Sequence, residues 1–266
     1  MPEGHTIHRL AKDLNRNLKG RPVHAASPQG RFIDGAALID GHTLVRAEAF
    51  GKHLFLRFDS PDVLNIHLGL IGKLRPKPAG SPVVGEIRLR LQGATTAWDL
   101  SGPTVCAVVT DDDVHRTIAR LGPDPLRRDA DPQRFVDRVR KSDREIGALL
   151  LDQGVVAGIG NVYRAEVLFL HGIHPMTPGS ALSEEQVHGL WDEMVLQLKD
   201  GVRRNRIVTL RPDERPRSIV KLPREEVVYA YHQEVCRRCG TPMQALEVAG
   251  RRIDVCPTCQ PYGARL

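Results

Sequence analysis

Aromatic side chains make up only 5% of the 266 residues, which argues against a single-strand binder built from stacked base platforms. No apolar run approaches the roughly 18 residues of a bilayer span, so the chain reads as soluble and globular, with no membrane partner. A basic-then-apolar signal segment is also missing, which points to the cytoplasm. Cysteine is scarce: of five, four fall in two Cys-x-x-Cys pairs near the C-terminus. In a cytosolic chain that pattern reads as a metal site and not as disulfides. The fifth, Cys106, sits in Val105-Cys106-Ala107-Val108-Val109 and reads as a buried strand residue. Charge of one sign is only mildly in excess, 38 Lys and Arg against 32 Asp and Glu, for a net +6. A polyanionic partner suits that balance without being demanded by it. The length allows two modest domains, each with a core.

What is present divides by period. Ile7, Leu10, Ala11, Leu14 and Leu18 recur at helical spacing, and Gly20 and Pro22 end that helix. From about Val23 to Val109 the chain turns to short alternating runs: 42–47, 54–58, 64–68 and 86–91. These predict antiparallel strands in a two-layer sandwich, with the first helix packed on it. Asp111-Asp112-Asp113 reads as a helix N-terminus. Gly122-Pro123-Asp124-Pro125 and the polar residues after it read as a linker. Beyond it the periods predict four helices: around Phe135 to Val139, around Ile146 to Leu150, from Val162 to Leu170 and from Leu182 to Leu198. The basic, weakly periodic stretch 203–224 reads as a partly ordered connector. The expected class is α+β: an N-terminal β-sandwich with a capping helix over 1–120, a helical domain with its connector over 121–224, and a zinc module over 225–266.

Several stretches can carry chemistry. If Met1 is removed, Pro2 offers a secondary amine beside the Glu3 carboxylate. An α-amino group has a pKa near ~8, so it is partly neutral and can form an iminium with an electrophilic carbon, while Glu3 shuttles protons. The plain alternative is that Pro2 only permits Met removal. Cys236-x-x-Cys239 and Cys256-x-x-Cys259, sixteen residues apart, suit one tetrahedral zinc clamped over a β-hairpin. Four thiolates leave zinc no open position, so the ion is expected to be structural. The hairpin carries Arg251-Arg252 near its turn at Ala249-Gly250, which tilts it toward phosphate contact. Gly158-Ile159-Gly160-Asn161 lacks the third glycine of a dinucleotide fingerprint. It reads as an interhelical turn with Asn161 as N-cap, either plain packing or an anion site at a helix start. Lys52 after Gly51, and His67 in an apolar strand, are each a structural residue or a ligand contact. Leu70-Ile71 between glycines is either folded onto the core or an apolar wedge for a base stack.

In order and spacing, Pro2-Glu3-Gly4, Gly51-Lys52, His67-Leu68-Gly69, Leu121-Gly122-Pro123-Asp124-Pro125-Leu126, Gly158-Ile159-Gly160-Asn161, Gly172-Ile173-His174-Pro175 and the cysteine pairs resemble the formamidopyrimidine-DNA glycosylase/endonuclease VIII family. The resemblance covers nearly the whole chain. It implies a β-sandwich, a helix–two-turn–helix domain and a zinc finger, with damaged double-stranded DNA between them. It further implies that Pro2 attacks C1′ of a flipped nucleotide, that Glu3 moves protons, and that Lys52 holds a phosphate and assists elimination. Arg251, Asn161 and His67 would grip phosphates, Leu70 would fill the emptied stack, and the zinc would hold Arg251 in place. A monomeric, nucleoid-associated glycosylase and abasic-site lyase is expected.

Three departures bear on scope. Thr6 stands where the family usually has a second glutamate, three residues after Glu3, with His5 before it. Leu100-Ser101-Gly102-Pro103 follows Asp99 where the formamidopyrimidine branch has an arginine and a phenylalanine, which favours the endonuclease VIII branch. Ile253 replaces a usual threonine in the zinc ribbon. The leading expectation is removal of oxidised pyrimidines or ring-opened bases followed by β,δ-elimination. The alternatives are an enzyme mainly for abasic sites or bulky and crosslinked adducts, and a zinc-ribbon DNA-binding protein without chemistry.

Overall fold

The apolar stripe of the first helix decides how the N-terminal half is built. Ile7, Leu10, Ala11, Leu14 and Leu18 are all buried, so α1 (Gly4–Leu18) lays one face on the strands that follow. The computed structural model describes residues 2–219 and 222–263, in two compact units, Met1–Arg120 and Leu121–Leu266.

The first unit holds two four-stranded antiparallel sheets. One runs β1 (His24–Ala26), β6 (Leu89–Gln92), β7 (Thr96–Ser101), β5 (Lys73–Pro78), and the other β2 (Leu44–Phe50), β3 (His53–Phe58), β4 (Val63–His67), β8 (Val105–Val109). Leu54, Leu56 and Phe58 share a buried core with Leu89, Leu91, Trp98 and Leu100 of the facing sheet, closing the expected sandwich. Phe55 and Val63 point the other way and are covered by Val114 of α3 (Asp111–Ala119). Thr110 starts α3 by exchanging capping bonds with Asp113. A short helix, α2 (Ile33–Ile39), and the strands β5 and β7 were not among the expected elements. Pro76 and Pro78 hid β5; it survives because it is an edge strand, where missing N–H groups break no inner ladder. The run 86–91 yields strand only from Leu89, and the run 42–47 yields a strand shifted to Leu44–Phe50. Cys106 is half-buried in β8.

In the second unit α4 (Pro132–Arg140), α5 (Ile146–Leu149), α6 (Asn161–Leu170) and α7 (Glu184–Arg204) enclose a core of Phe135, Val139, Leu149, Val162, Leu168, Leu190 and Met194. Ser183 and Gln186 form a capping box at the start of α7, and Asn205, left-handed at φ 54°, ends it. The hairpin of β9 (Gln244–Val248) and β10 (Arg251–Val255) packs on α6, with Val248 and Ile253 in the same core.

One expectation needs correction here. The Gly122-Pro123-Asp124-Pro125 stretch is buried and bonded, not a slack linker. Gly122 N–H donates to Gln153 O (2.8 Å), and Ala157 N–H to Pro123 O (3.1 Å). A Cβ at Gly122 would stand 2.3 Å from Val155 O, so only glycine lets the two backbones touch. The connector 203–224 begins in packed structure, since α7 extends through Arg204 and Ile207, Val208, Thr209 and Leu210 are buried, while most of 211–219 is exposed. Val220 and Lys221 of that stretch lie outside the described residues.

Candidate functional site

Edge pairing places the N-terminus. Gly20 N–H donates to Leu44 O (2.8 Å), and the Asn15 amide makes both backbone bonds of Ala47 on the β2 edge, each 2.8 Å. Helix α1 therefore runs antiparallel to β2. From Asn15 back to Glu3 is about 18 Å of helix, and from Ala47 to the strand end at Phe50 about 10 Å, with Gly51 and Lys52 in the turn beyond it. Pro2 and Glu3 therefore lie at the end of α1 that runs toward the β2–β3 hairpin, which carries Lys52. Glu3 is fully buried and Pro2 half-buried. The Glu3 backbone carbonyl accepts from Thr6 N–H (2.9 Å), while its carboxylate makes no capping bond to the helix. Thr6 pairs its hydroxyl with His5 Nε2 at 3.2 Å.

Lys52 is the second residue of a two-residue hairpin turn. Gly51 before it takes φ +58°, the conformation such turns require at their first position. On the outer face of the same sheet, His53 opposes His67, with ring centroids 5.0 Å apart. His53 stacks on Phe55 and faces Asn65 Oδ1 at 3.4 Å. Gly69 N–H donates to His67 Nδ1 (3.2 Å). Burial, then the charges of His53 and Lys52, push the His67 pKa down to about 4. Its ring is neutral at pH 7, with Nδ1 accepting and the proton on Nε2. His53 and Asn65 were not singled out from sequence; their register opposite His67 appears only once the strands pair.

The loop after His67 holds Leu70 and Ile71 out, at 55% and 77% exposure, so neither folds back on the core. Gly72 N–H closes the loop on Leu68 O (3.0 Å). A Cβ on Gly69, φ +65°, would meet Thr104 Oγ1 at 1.9 Å. Ile71 lies beside Gly102, in the stretch after Asp99 where the arginine and phenylalanine are absent. Asp99 itself is committed to a bidentate bond with the buried Arg90 guanidinium, 2.7 and 2.8 Å.

In the second unit the turn 154–160 is braced by Gln153, whose amide bonds Gly158 N–H, Leu151 O and Ile159 O. Gly160, not Asn161, is the N-cap of α6. The Asn161 side chain is turned toward the zinc hairpin instead: Nδ2 donates to Arg252 O (2.9 Å) and Oδ1 accepts from Arg164 (2.5 Å). Arg251 is exposed at the first position of β10. Ile253 points into the core, away from the hairpin tip.

The sequence reading also passed over Arg164 and Glu166, both fully buried. The Glu166 carboxylate accepts from the backbone N–H groups of Tyr229, Ala230 and Tyr231 and from the Thr209 hydroxyl. The available signal was two charges inside an otherwise apolar helix.

The four sulfurs of Cys236, Cys239, Cys256 and Cys259 lie within 4.8 Å of one another, with pairs at 3.8 and 3.5 Å. A tetrahedron with Zn–S near 2.3 Å has edges of about 3.8 Å, so the set fits a zinc ion. Gln260 ties the second knuckle to Ile173 O (2.8 Å). A Cβ at Gly172 would press on Cys259 O at 3.2 Å, which accounts for the glycine of the Gly172-Ile173-His174-Pro175 stretch.

Three family descriptions match: the formamidopyrimidine-DNA glycosylase N-terminal domain over 1–101, the formamidopyrimidine-DNA glycosylase H2TH domain over 121–211, and the zinc finger found in FPG and IleRS over 233–261. Endonuclease 8 1 of Mycobacterium tuberculosis (strain H37Rv) is 45% identical over 267 residues, covering 98% of this chain and 100% of that one. Formamidopyrimidine-DNA glycosylase of Thermomicrobium roseum is 32% identical over 285 residues, covering 98% of each. The Lactococcus lactis formamidopyrimidine-DNA glycosylase, solved non-covalently bound to DNA containing an abasic site, superposes with a TM-score of 0.80 at 26% identity, covering 98% of this chain and all of that one. With that identity sustained end to end, the chain belongs to the formamidopyrimidine-DNA glycosylase/endonuclease VIII family of DNA-repair glycosylases.

Proposed function

We propose that this chain is an endonuclease VIII-like DNA glycosylase and abasic-site lyase that removes oxidised pyrimidines or ring-opened bases from duplex DNA. The observation that supports the reading is the antiparallel run of α1 along β2, which directs Pro2 and Glu3 toward the hairpin of Lys52. With Met1 removed, the Pro2 nitrogen attacks C1′ of the flipped nucleotide, the base departs, and an iminium to the opened sugar remains. Glu3, buried against the start of α1, protonates the ring oxygen and returns protons later. Lys52 holds a phosphate and assists the β- and δ-eliminations that cut the strand. Neutral His67 donates Nε2–H to a phosphate oxygen; Asn161 and Arg251 grip others, fixing register without reading sequence. Exposed Leu70 fills the gap in the stack. The four thiolates saturate a structural zinc, which supplies rigidity to the hairpin. In this reading 1–120 is the catalytic domain, 121–224 the helix–two-turn–helix domain with its connector, and 225–266 the zinc finger. The protein works as a monomer at the nucleoid.

Thr6 favours one narrower reading. Its hydroxyl, bonded to His5, brings no second carboxylate to base expulsion, while the iminium and elimination steps are untouched. An enzyme mainly for abasic sites or for bulky and crosslinked adducts follows from that. A panel of duplexes, each with one oxidised pyrimidine, ring-opened purine, crosslink or abasic site, separates the readings. Incision at the base lesions supports the broad one; incision at preformed abasic sites alone contradicts it.

A further inference from the structure

A single guanidinium lies under the zinc hairpin and touches both residues of the second unit assigned to phosphate contact, Asn161 and Arg251. Arg164 of α6 has no exposed surface. Its Nη1 donates to Gly147 O and Val248 O, both at 3.1 Å. Its Nη2 donates to Asn161 Oδ1 (2.5 Å), Arg252 O (3.3 Å) and Arg251 O (3.4 Å). The fork therefore spans both sides of the Ala249-Gly250 turn, from the last residue of β9 to the first two of β10, and anchors the turn to α5 and α6 at once.

We propose that Arg164 is a positioning residue for DNA binding, which fixes Arg251 and Asn161 relative to each other so that they hold phosphates as one unit. Two physical arguments support it. Fastening a hairpin needs no buried charge, since apolar packing does so at no desolvation cost. A planar fork with five donors, however, orients several carbonyls simultaneously, as an apolar or ammonium side chain does not. The Asn161 amide supplies the second argument. With Oδ1 bound by Arg164 and one Nδ2–H on Arg252 O, the group it can offer an incoming ligand is the other Nδ2–H, a donor suited to an anionic oxygen. Without Arg164 only the Nδ2 bond to Arg252 O holds the amide, and the aim of its second N–H is no longer fixed.

The inference rests on the reading of Arg251 and Asn161 as phosphate contacts, and the test separates the two. Full-length, zinc-loaded protein is titrated with a fluorescent duplex carrying an abasic-site analogue at several salt concentrations. Arg251→Ala should weaken binding and reduce the slope of log K against log salt by about one unit. Arg164→Met and Arg164→Lys, each holding one zinc and a wild-type circular dichroism spectrum, should reproduce that loss. Combining either with Arg251→Ala should add less than about two-fold to the single-variant loss in Kd. A purely structural residue would lower the melting temperature and leave the slope alone. A wild-type slope in the Arg164 variants, or full additivity with Arg251→Ala, overturns the inference. An unchanged slope in Arg251→Ala overturns the grip beneath it. Should Arg164→Met not fold, Arg164→Lys decides by the same readout, because it keeps charge and length and removes only the fork.

Discussion

His67 meets a phosphate, on this account, as a neutral hydrogen-bond donor. Gly69 N–H occupies Nδ1, and burial beside His53 and Lys52 holds the pKa down to about 4. The ordinary unfolded value lies near ~6.5, so the folded state resists protonation. The stability this contributes is complete above about 6.5 and is lost as pH falls toward 4. An NMR titration of the ring should show a midpoint close to 4 in the free protein; a midpoint near 6.5 would contradict the site. Glu166 makes a second test at this scale. Burial raises its pKa to about 6, yet three backbone N–H groups and a hydroxyl converge on it. Glu166→Gln turns an N–H toward those donors and strands at least one of them, a cost of about 1–3 kcal/mol. A melt should show a fall of roughly 5 °C; an unchanged midpoint would mean the carboxylate is not needed there. Neither environment was legible in the sequence, because each is made by residues far apart in the chain.

Among the elements, the hairpin turn of the zinc module carries strain that can be relieved. Ala249 and Gly250 both have positive φ, 53° and 68°, as a two-residue turn of this hand requires. Glycine adopts that region readily, whereas an alanine there costs about 1–2 kcal/mol. Ala249→Asn or Ala249→Gly should stabilise the protein by about 1 kcal/mol in a denaturant melt, and Gly250→Ala should destabilise it. The opposite order would remove the turn assignment. The elements that could be read from sequence were those whose own period or spacing fixes them: α1, α4, α6, α7 and the paired cysteines. Those that could not depend on their neighbours. Strand β5 holds two prolines and exists because its free edge tolerates them. Residues 122–125 look like a linker, yet the turn at 153–157 receives them. Asn161 has the composition of an N-cap, but Arg164 and Arg252 outbid the helix for its amide.

For the molecule as a whole, the cysteine cluster is built into the second unit instead of hanging from it. Arg164 ties the hairpin to α6, Glu166 ties 229–231 to the same helix, and Gln260 ties the last knuckle to Ile173. Extracting the metal with a mercurial thiol reagent should therefore release one zinc per chain, lower the melting temperature and abolish tight duplex binding together. Release of zinc with binding intact would detach the module from the DNA grip. No described helix is long and apolar enough to cross a membrane. The order of the motifs was enough to indicate the family before any fold was seen. The coupling of the hairpin to α6 was not visible, since it runs through two charges that read as interruptions of an apolar helix. Whether the amine of Pro2 performs the chemistry is decided by borohydride trapping. Untagged protein, with loss of Met1 confirmed by mass, is mixed with a duplex carrying one abasic site and reduced. The expected product is a one-to-one covalent adduct that peptide mapping places on Pro2. Tight binding with no adduct, or an adduct on another residue, would contradict it.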